Sequence, residues 1–282
     1  GTYYWYGEYK KGKTILPDWA TWECYRTDVT GVGCYSSKDL LNWKFEGIVL
    51  PAVKDDPNHD LHPSKVLERP KVVYNKKTGK FVMWAHVESA DYSKACAGVA
   101  VSDSPVGPFV YQGSFRPNNA MSRDQTVFVD DDGRAYQFYS SENNETMYIS
   151  LLTDDYLKPS GRFTRNFVKE SREAPAVFKY NGKYYLSYSD NHDENWNDGV
   201  KGDNRMRYAV SDSPLGPWES KGIYMEPTDS YTNHGSIVEF KGQWYSFYHN
   251  SALSGHDWLR SICVDKLYYN PDGTIQIVKQ TK

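Results

Sequence analysis

A hairpin unit recurs along this chain, and a recurring β unit restricts the fold more than any other feature of the sequence. The unit is an apolar strand, a short turn carrying Gly, then an aromatic strand. It reads Val-Val-Tyr-Asn-Lys-Lys-Thr-Gly-Lys-Phe-Val-Met-Trp at 72–84 and Val-Phe-Val-Asp-Asp-Asp-Gly-Arg-Ala-Tyr-Gln-Phe-Tyr at 127–139. It returns as Val-Phe-Lys-Tyr-Asn-Gly-Lys-Tyr-Tyr-Leu-Ser-Tyr at 177–188 and Ile-Val-Glu-Phe-Lys-Gly-Gln-Trp-Tyr-Ser-Phe-Tyr at 237–248. Alternating strands around Asn-Gly, Asp-Gly or Lys-Gly are hairpin signals. The opening residues look like the second half of the same unit.

A second unit follows each hairpin. Its two strongest copies, at 98–113 and 207–222, share Ser-Asp-Ser-Pro-x-Gly-Pro. Weaker copies lie at 33–45, 147–157 and 261–269. Hairpin plus second unit makes a four-stranded antiparallel sheet. Five in succession predict an all-β fold, a five-bladed β-propeller of four-stranded antiparallel blades, as one catalytic domain over 1–282. The alternative is a β-sandwich, which does not explain the near-identical copies. The first blade lacks its innermost strand. Either that strand stands upstream of residue 1, with or without a removed leader, or a C-terminal segment around 274–278 closes the ring.

Composition agrees: aromatics are 16% of residues, with 24 Tyr and 9 Trp, types that fit strands. These flat rings also suit stacking on sugars. A net charge of −3 gives no footprint for nucleic acid. No apolar run approaches the roughly 20 residues of a membrane helix. Cys24, Cys34, Cys96 and Cys263 match no zinc or redox spacing. They read as buried thiols, with a Cys24–Cys34 bridge as the alternative in an oxidising compartment.

Residues just before each blade's inner strand face one end of a propeller's channel. In successive blades those positions hold Glu68, Asp124, Glu173 and His234. Their shared register predicts that three carboxylates and an imidazole meet around one pocket. Crowded carboxylates repel when ionised, which raises at least one pKa. A protonated carboxyl beside an ionised one is what glycoside hydrolysis needs. Arg69, Arg123 and Arg172 either orient the cluster or neutralise it, and the run Asp130-Asp131-Asp132-Gly133 reads as a hairpin turn.

At these residues the chain resembles glycoside hydrolase family 43, five-bladed propellers that cut plant cell-wall polysaccharides with inversion. The resemblance spans nearly the whole chain. It implies that Asp124, in Asp-Gln-Thr-Val-Phe-Val-Asp-Asp-Asp-Gly, modulates a pKa, and that Glu173, in Arg-Glu-Ala-Pro-Ala, is the general acid. The first half is most similar to the exo-β-1,3-galactanase branch, through Tyr-Tyr-Trp-Tyr-Gly-Glu, Cys-Tyr-Ser-Ser-Lys-Asp-Leu-Leu-Asn-Trp and Glu-Arg-Pro-Lys-Val-Val-Tyr-Asn. That branch uses a Glu matching Glu68. The second half is closer to β-xylosidases and α-L-arabinofuranosidases, through Thr-Asn-His-Gly-Ser-Ile-Val-Glu-Phe-Lys-Gly and Phe-Tyr-His-Asn.

Two departures leave the general base open. The first-blade Asp that most of the family uses has no match, and Asn233-His234-Gly235 stands where the galactanase branch places a Gln. Glu68 is a candidate base and equally a substrate-binding residue. The resemblance allows His234 three readings: neighbour of a calcium or other ion near the axis, structural hydrogen-bonding group, or base. Its lone imidazole is no metal signature, and no calcium loop is evident. No cofactor is required. Arg123, Trp22 in a 9–30 insertion and Trp196 in a polar 190–204 loop are further substrate-binding candidates, with His234. The expected protein is a monomeric, secreted or periplasmic exo-glycosidase acting on a plant polysaccharide or oligosaccharide. The best substrate is β-1,3-galactan, with arabinofuranosidase or xylosidase activity as the alternative. A carbohydrate-binding propeller without hydrolysis is the rival from another class.

Overall fold

The computed structural model describes residues 1–10, 29–189, 205–230, 233–255 and 260–281. Trp22, Trp196 and Cys24 lie outside the described residues.

Five antiparallel sheets follow one another along the chain as the blades of a five-bladed β-propeller. The first holds β1 (Tyr3–Lys10), β2 (Val29–Ser37) and β3 (Lys44–Pro51). The second holds β4 (Val66–Asn75), β5 (Lys80–Glu88), β6 (Cys96–Ser102) and β7 (Val110–Phe115). The third holds β8 (Gln125–Val129), β9 (Ala135–Ser141), β10 (Thr146–Leu152) and β11 (Pro159–Asn166). The fourth holds β12 (Glu173–Tyr180), β13 (Lys183–Ser189), β14 (Met206–Ser211) and β15 (Glu219–Met225). The fifth holds β16 (Ser236–Phe240), β17 (Gln243–Asn250) and β18 (Ser261–Leu267). Within each sheet every strand pairs with its sequence neighbour.

Four blades were expected to be complete, but the described residues give three strands to the fifth sheet as well as to the first. The 274–278 segment adds no strand to the first sheet. Ile275 N–H instead donates to the Tyr208 hydroxyl at 2.9 Å, and Val278 N–H to the Tyr224 carbonyl at 2.7 Å. The segment's apolar residues pack into the core of the fourth and fifth blades. Cys34 is a buried free thiol, its Sγ 3.9 Å from the Pro105 carbonyl oxygen, and the other half of the alternative bridge, Cys24, lies outside the described residues. The acidic run is the expected turn: Gly133 N–H donates to the Asp130 carbonyl at 2.9 Å.

The repeated sequence produces repeated local bonds. In the two Ser-Asp-Ser-Pro-x-Gly-Pro copies, the Ser102 and Ser211 hydroxyls each accept the N–H two residues on, both at 3.1 Å. The next serine's carbonyl then accepts a glycine N–H, Gly107 at 3.1 Å and Gly216 at 3.0 Å. Both glycines are left-handed, at φ 73° and 90°, a region that side chains disfavour. Each turn is also tied by an ion pair, Lys80 to Asp103 and Lys183 to Asp212.

The chain divides into two compact units, Gly1–Ala135 with Leu151–Gly161, and Tyr136–Ser150 with Arg162–Lys282. In the first, Val32, Cys34 and Val49 pack on Leu67, Met83 and Val87. A second cluster there surrounds Trp84, which is fully buried and donates its indole N–H to the Tyr156 carbonyl at 2.8 Å. In the second unit, Phe178, Tyr208, Tyr224, Met206 and Met225 pack with Ile237, Tyr248 and Leu267. No helix among the described residues is long and apolar enough to cross a membrane.

Candidate active site

Two of the predicted acids sit on the same backbone device, one in each unit. Along the β4–β5 hairpin, Asn75 faces Lys80 and Lys71 faces Trp84, an unbroken antiparallel register. The register then slips, and Glu68 faces His86. Along β12–β13, Tyr180 faces Lys183 and Ala176 faces Ser187; the same slip then sets Glu173 opposite Ser189. Each slip is a β-bulge in a Glu-x-Pro sequence. The residue after each Glu is left-handed, Arg69 at φ 54° and Ala174 at φ 52°. Such backbone costs about 1–3 kcal/mol and gathers at functional sites. Glu68 is therefore the third residue of β4, not one that precedes it. Asp124 and His234 precede β8 and β16 by one and two residues.

In the first unit a polar network surrounds Glu68. Its Oε1 accepts the Tyr92 hydroxyl at 2.9 Å, and its Oε2 lies 3.2 Å from His86 Nδ1. Arg69 Nε donates to Asp124 Oδ1 at 2.8 Å. Ligand atoms of Glu68, His86 and Asp124 all lie within 4.8 Å of one another. Gln125 locks the bulge from behind: its buried amide donates to the Arg69 carbonyl at 2.7 Å and the Trp84 carbonyl at 3.0 Å. Arg123 donates to the Tyr92 carbonyl at 3.2 Å, so it tethers the loop that delivers the Tyr92 hydroxyl.

Burial pushes the Glu68 carboxyl upward, but the bond and charge of His86, then Arg69 and Tyr92, outweigh it and hold the group well below the usual carboxylate range. Glu88, on the same strand as His86, goes the other way. Burial raises it, only partly offset by the Ala95 N–H and the charges of His86 and Arg123. Burial also lowers the Lys71 amine.

In the second unit Glu173 opens β12 half-buried, and its Oε1 accepts the Asn144 side-chain amide at 2.6 Å. Asn144 sits in the turn between β9 and β10, where residues 142–144 all have positive φ. The backbone reinforces the placement: Arg172 N–H donates to the Asn144 carbonyl at 3.3 Å, and the Ser140 hydroxyl to the Arg172 carbonyl at 2.6 Å. The Arg172 guanidinium lies over the Tyr188 ring at 4.9 Å and donates to Glu170 at 2.6 Å. His234 is half-buried beside Gly235, where an added Cβ would stand 3.1 Å from the Tyr224 hydroxyl.

The calcium implied by the resemblance does not fit the donors present. Among the described residues, one group of three metal-type side chains comes together, Glu68, His86 and Asp124, and it excludes His234. It offers an imidazole nitrogen and carries Arg69 on Asp124, whereas calcium takes six to eight oxygens.

Sequence reasoning missed His86, Tyr92, Gln125 and Asn144. Continuing the hairpin register would have set Val87 opposite Glu68; the bulge substitutes His86.

Half-buried carboxylates set on bulges of a propeller's blades define a glycosidase-like protein. The chain belongs to glycosyl hydrolases family 43, whose model matches residues 17–275. It is 34% identical to a β-xylosidase of Xylanibacter ruminicola over 222 residues, 64% of this chain and 66% of that relative. It is 32% identical to a xylosidase/arabinosidase of Bacteroides ovatus, over 71% of this chain and 70% of that one. The chain thus spans about two thirds of the length of these curated relatives. A family 43 β-1,3-galactosidase solved with galactodeoxynojirimycin superposes with a TM-score of 0.81 at 32% identity, covering 100% of this chain and 91% of that one. An exo-β-1,3-galactanase from Phanerochaete chrysosporium with galactose gives 0.79 at 30% identity, over 98% and 60%.

Proposed function

We propose that residues 1–282 act as one catalytic domain, an inverting exo-glycosidase that releases galactose from β-1,3-linked galactan. Glu173 is the general acid. The Asn144 amide, donating to its Oε1, orients the carboxyl that delivers the proton to the leaving group. Asp124, its Oδ1 held by Arg69 Nε at 2.8 Å, has the role the resemblance assigns it, modulation of a pKa. Glu68 binds a substrate hydroxyl: a carboxylate held this low is a weak base, which argues against that alternative role. The base is left unassigned, no step is given to a metal ion, and no cofactor is needed. A monomer, secreted or periplasmic, suits a polymeric substrate outside the cell.

The observation that carries the galactan reading is the likeness to β-1,3-galactosidase over the full chain. The sequence relatives favour a second reading, xylosidase or arabinofuranosidase, at similar identity over less of the chain. A product screen on β-1,3-galactan, arabinan and xylan separates them. Galactose from galactan alone supports the first, xylose or arabinose the second, and oligosaccharide binding without any released sugar the non-catalytic rival.

A further inference from the structure

His86 is 2% exposed, on the central part of a blade, yet it takes no part in the reaction proposed above. Its Nδ1 stands 3.2 Å from Glu68 Oε2, an approach that is close but not an aligned hydrogen bond, and its Nε2 is buried with no hydrogen-bond partner. A lone pair on Nδ1 would face the lone pairs of a carboxylate, so Nδ1 is the nitrogen that carries a hydrogen toward Glu68. The Tyr92 hydroxyl holds the other carboxylate oxygen at 2.9 Å. Without the bulge, an aliphatic Val87 would take this place. The strained backbone at Arg69 therefore has a chemical result: it exchanges a side chain that cannot donate for one that can.

We infer that His86 is the positioning residue for Glu68, clamping its carboxylate from one side while Tyr92 clamps the other, so that the remaining lone pairs present a fixed acceptor to a sugar hydroxyl. This rests on the substrate-binding role proposed for Glu68. The other charged and titratable groups around the pair are Arg69 on β4, Asp124 and Arg123 ahead of β8, Tyr92 in the 89–95 loop, and Glu88 on β5 itself. Of these, Arg69 and Tyr92 remain to favour the ionised carboxylate when His86 is removed, so the loss is partial.

The test compares His86→Leu, which keeps bulk without a donor, and His86→Asn, which keeps a donor, with the wild type. The Glu68 carboxyl is followed by carbon-13 NMR, assigned through Glu68→Gln, and kcat/KM is measured against pH on β-1,3-galactobiose. In His86→Leu the Glu68 titration and the acid limb of kcat/KM are expected to move up by about one pH unit or more, with kcat/KM falling roughly 10- to 100-fold. His86→Asn recovers part of both. An unmoved Glu68 titration in His86→Leu overturns the inference. So does a wild-type nitrogen-15 spectrum showing His86 with Nδ1 bare, a readout that needs no variant to fold. If the wild type releases no sugar from galactobiose, the galactan reading fails while both NMR readouts still decide the role of His86.

Discussion

Glu173 and Asp124 are both carboxylates, and each is held by a different kind of side-chain donor. Glu173 accepts from a neutral amide, Asn144, whereas Asp124 accepts from the Arg69 guanidinium. A neutral amide orients a carboxyl through its N–H geometry, and a guanidinium at 2.8 Å makes a charge-assisted bond. Asn144→Ala is expected to lower kcat about 10-fold with little change in KM, measured by steady-state kinetics. An unchanged kcat would remove Asn144 from the mechanism. The Arg69–Asp124 pair, with side chains 18% and 10% exposed, should show strong coupling. Either single Ala variant is expected to lose about 2–4 kcal/mol in denaturant unfolding, because it breaks a largely buried ion pair from one side. The double variant should lose less than the sum of the two, by about 1–3 kcal/mol.

At the scale of elements, the sequence shows the strands plainly because their copies repeat both pattern and bonds. The two Ser-Asp-Ser-Pro segments, 109 positions apart, make the same serine caps and the same left-handed glycine turn. The site is only partly legible, for a definite reason. Glu68, Asp124 and Glu173 stand out by position in the repeat, but a hairpin register read from its turn is off by one residue beyond each Glu-x-Pro bulge. Nothing in Glu-Arg-Pro or Glu-Ala-Pro marks a left-handed second residue, since proline's neighbours usually extend. Partners from loops, Tyr92 and Asn144, depend on turn geometry that the repeat does not encode. Ala174 is fully buried at φ 52°, so a β-branched side chain there meets both a forbidden backbone and a filled space. Ala174→Val is expected to lower the unfolding free energy by about 2–4 kcal/mol and abolish activity. Activity at the wild-type level would show that the bulge does not place Glu173.

Taken as a whole, the molecule invests its buried aromatic surface in the packing between neighbouring sheets. Trp84 fills the first unit, and the Tyr185–Tyr208–Tyr224 series fills the second. Aromatic side chains bury large areas with few rotatable bonds, which suits rigid sheets that must hold acids to tight tolerances. That rigidity is what inversion requires, since the water and the acid act on opposite faces of one sugar. The stereochemistry of the first product therefore tests the central claim most directly. Proton NMR during the first turnovers on β-1,3-galactotriose, whose leaving group is galactobiose, should show the free galactose as α-galactose before mutarotation, and Glu173→Gln should release it at least roughly 100-fold more slowly. β-Galactose as the first product, or full activity in Glu173→Gln on this natural linkage, would contradict it.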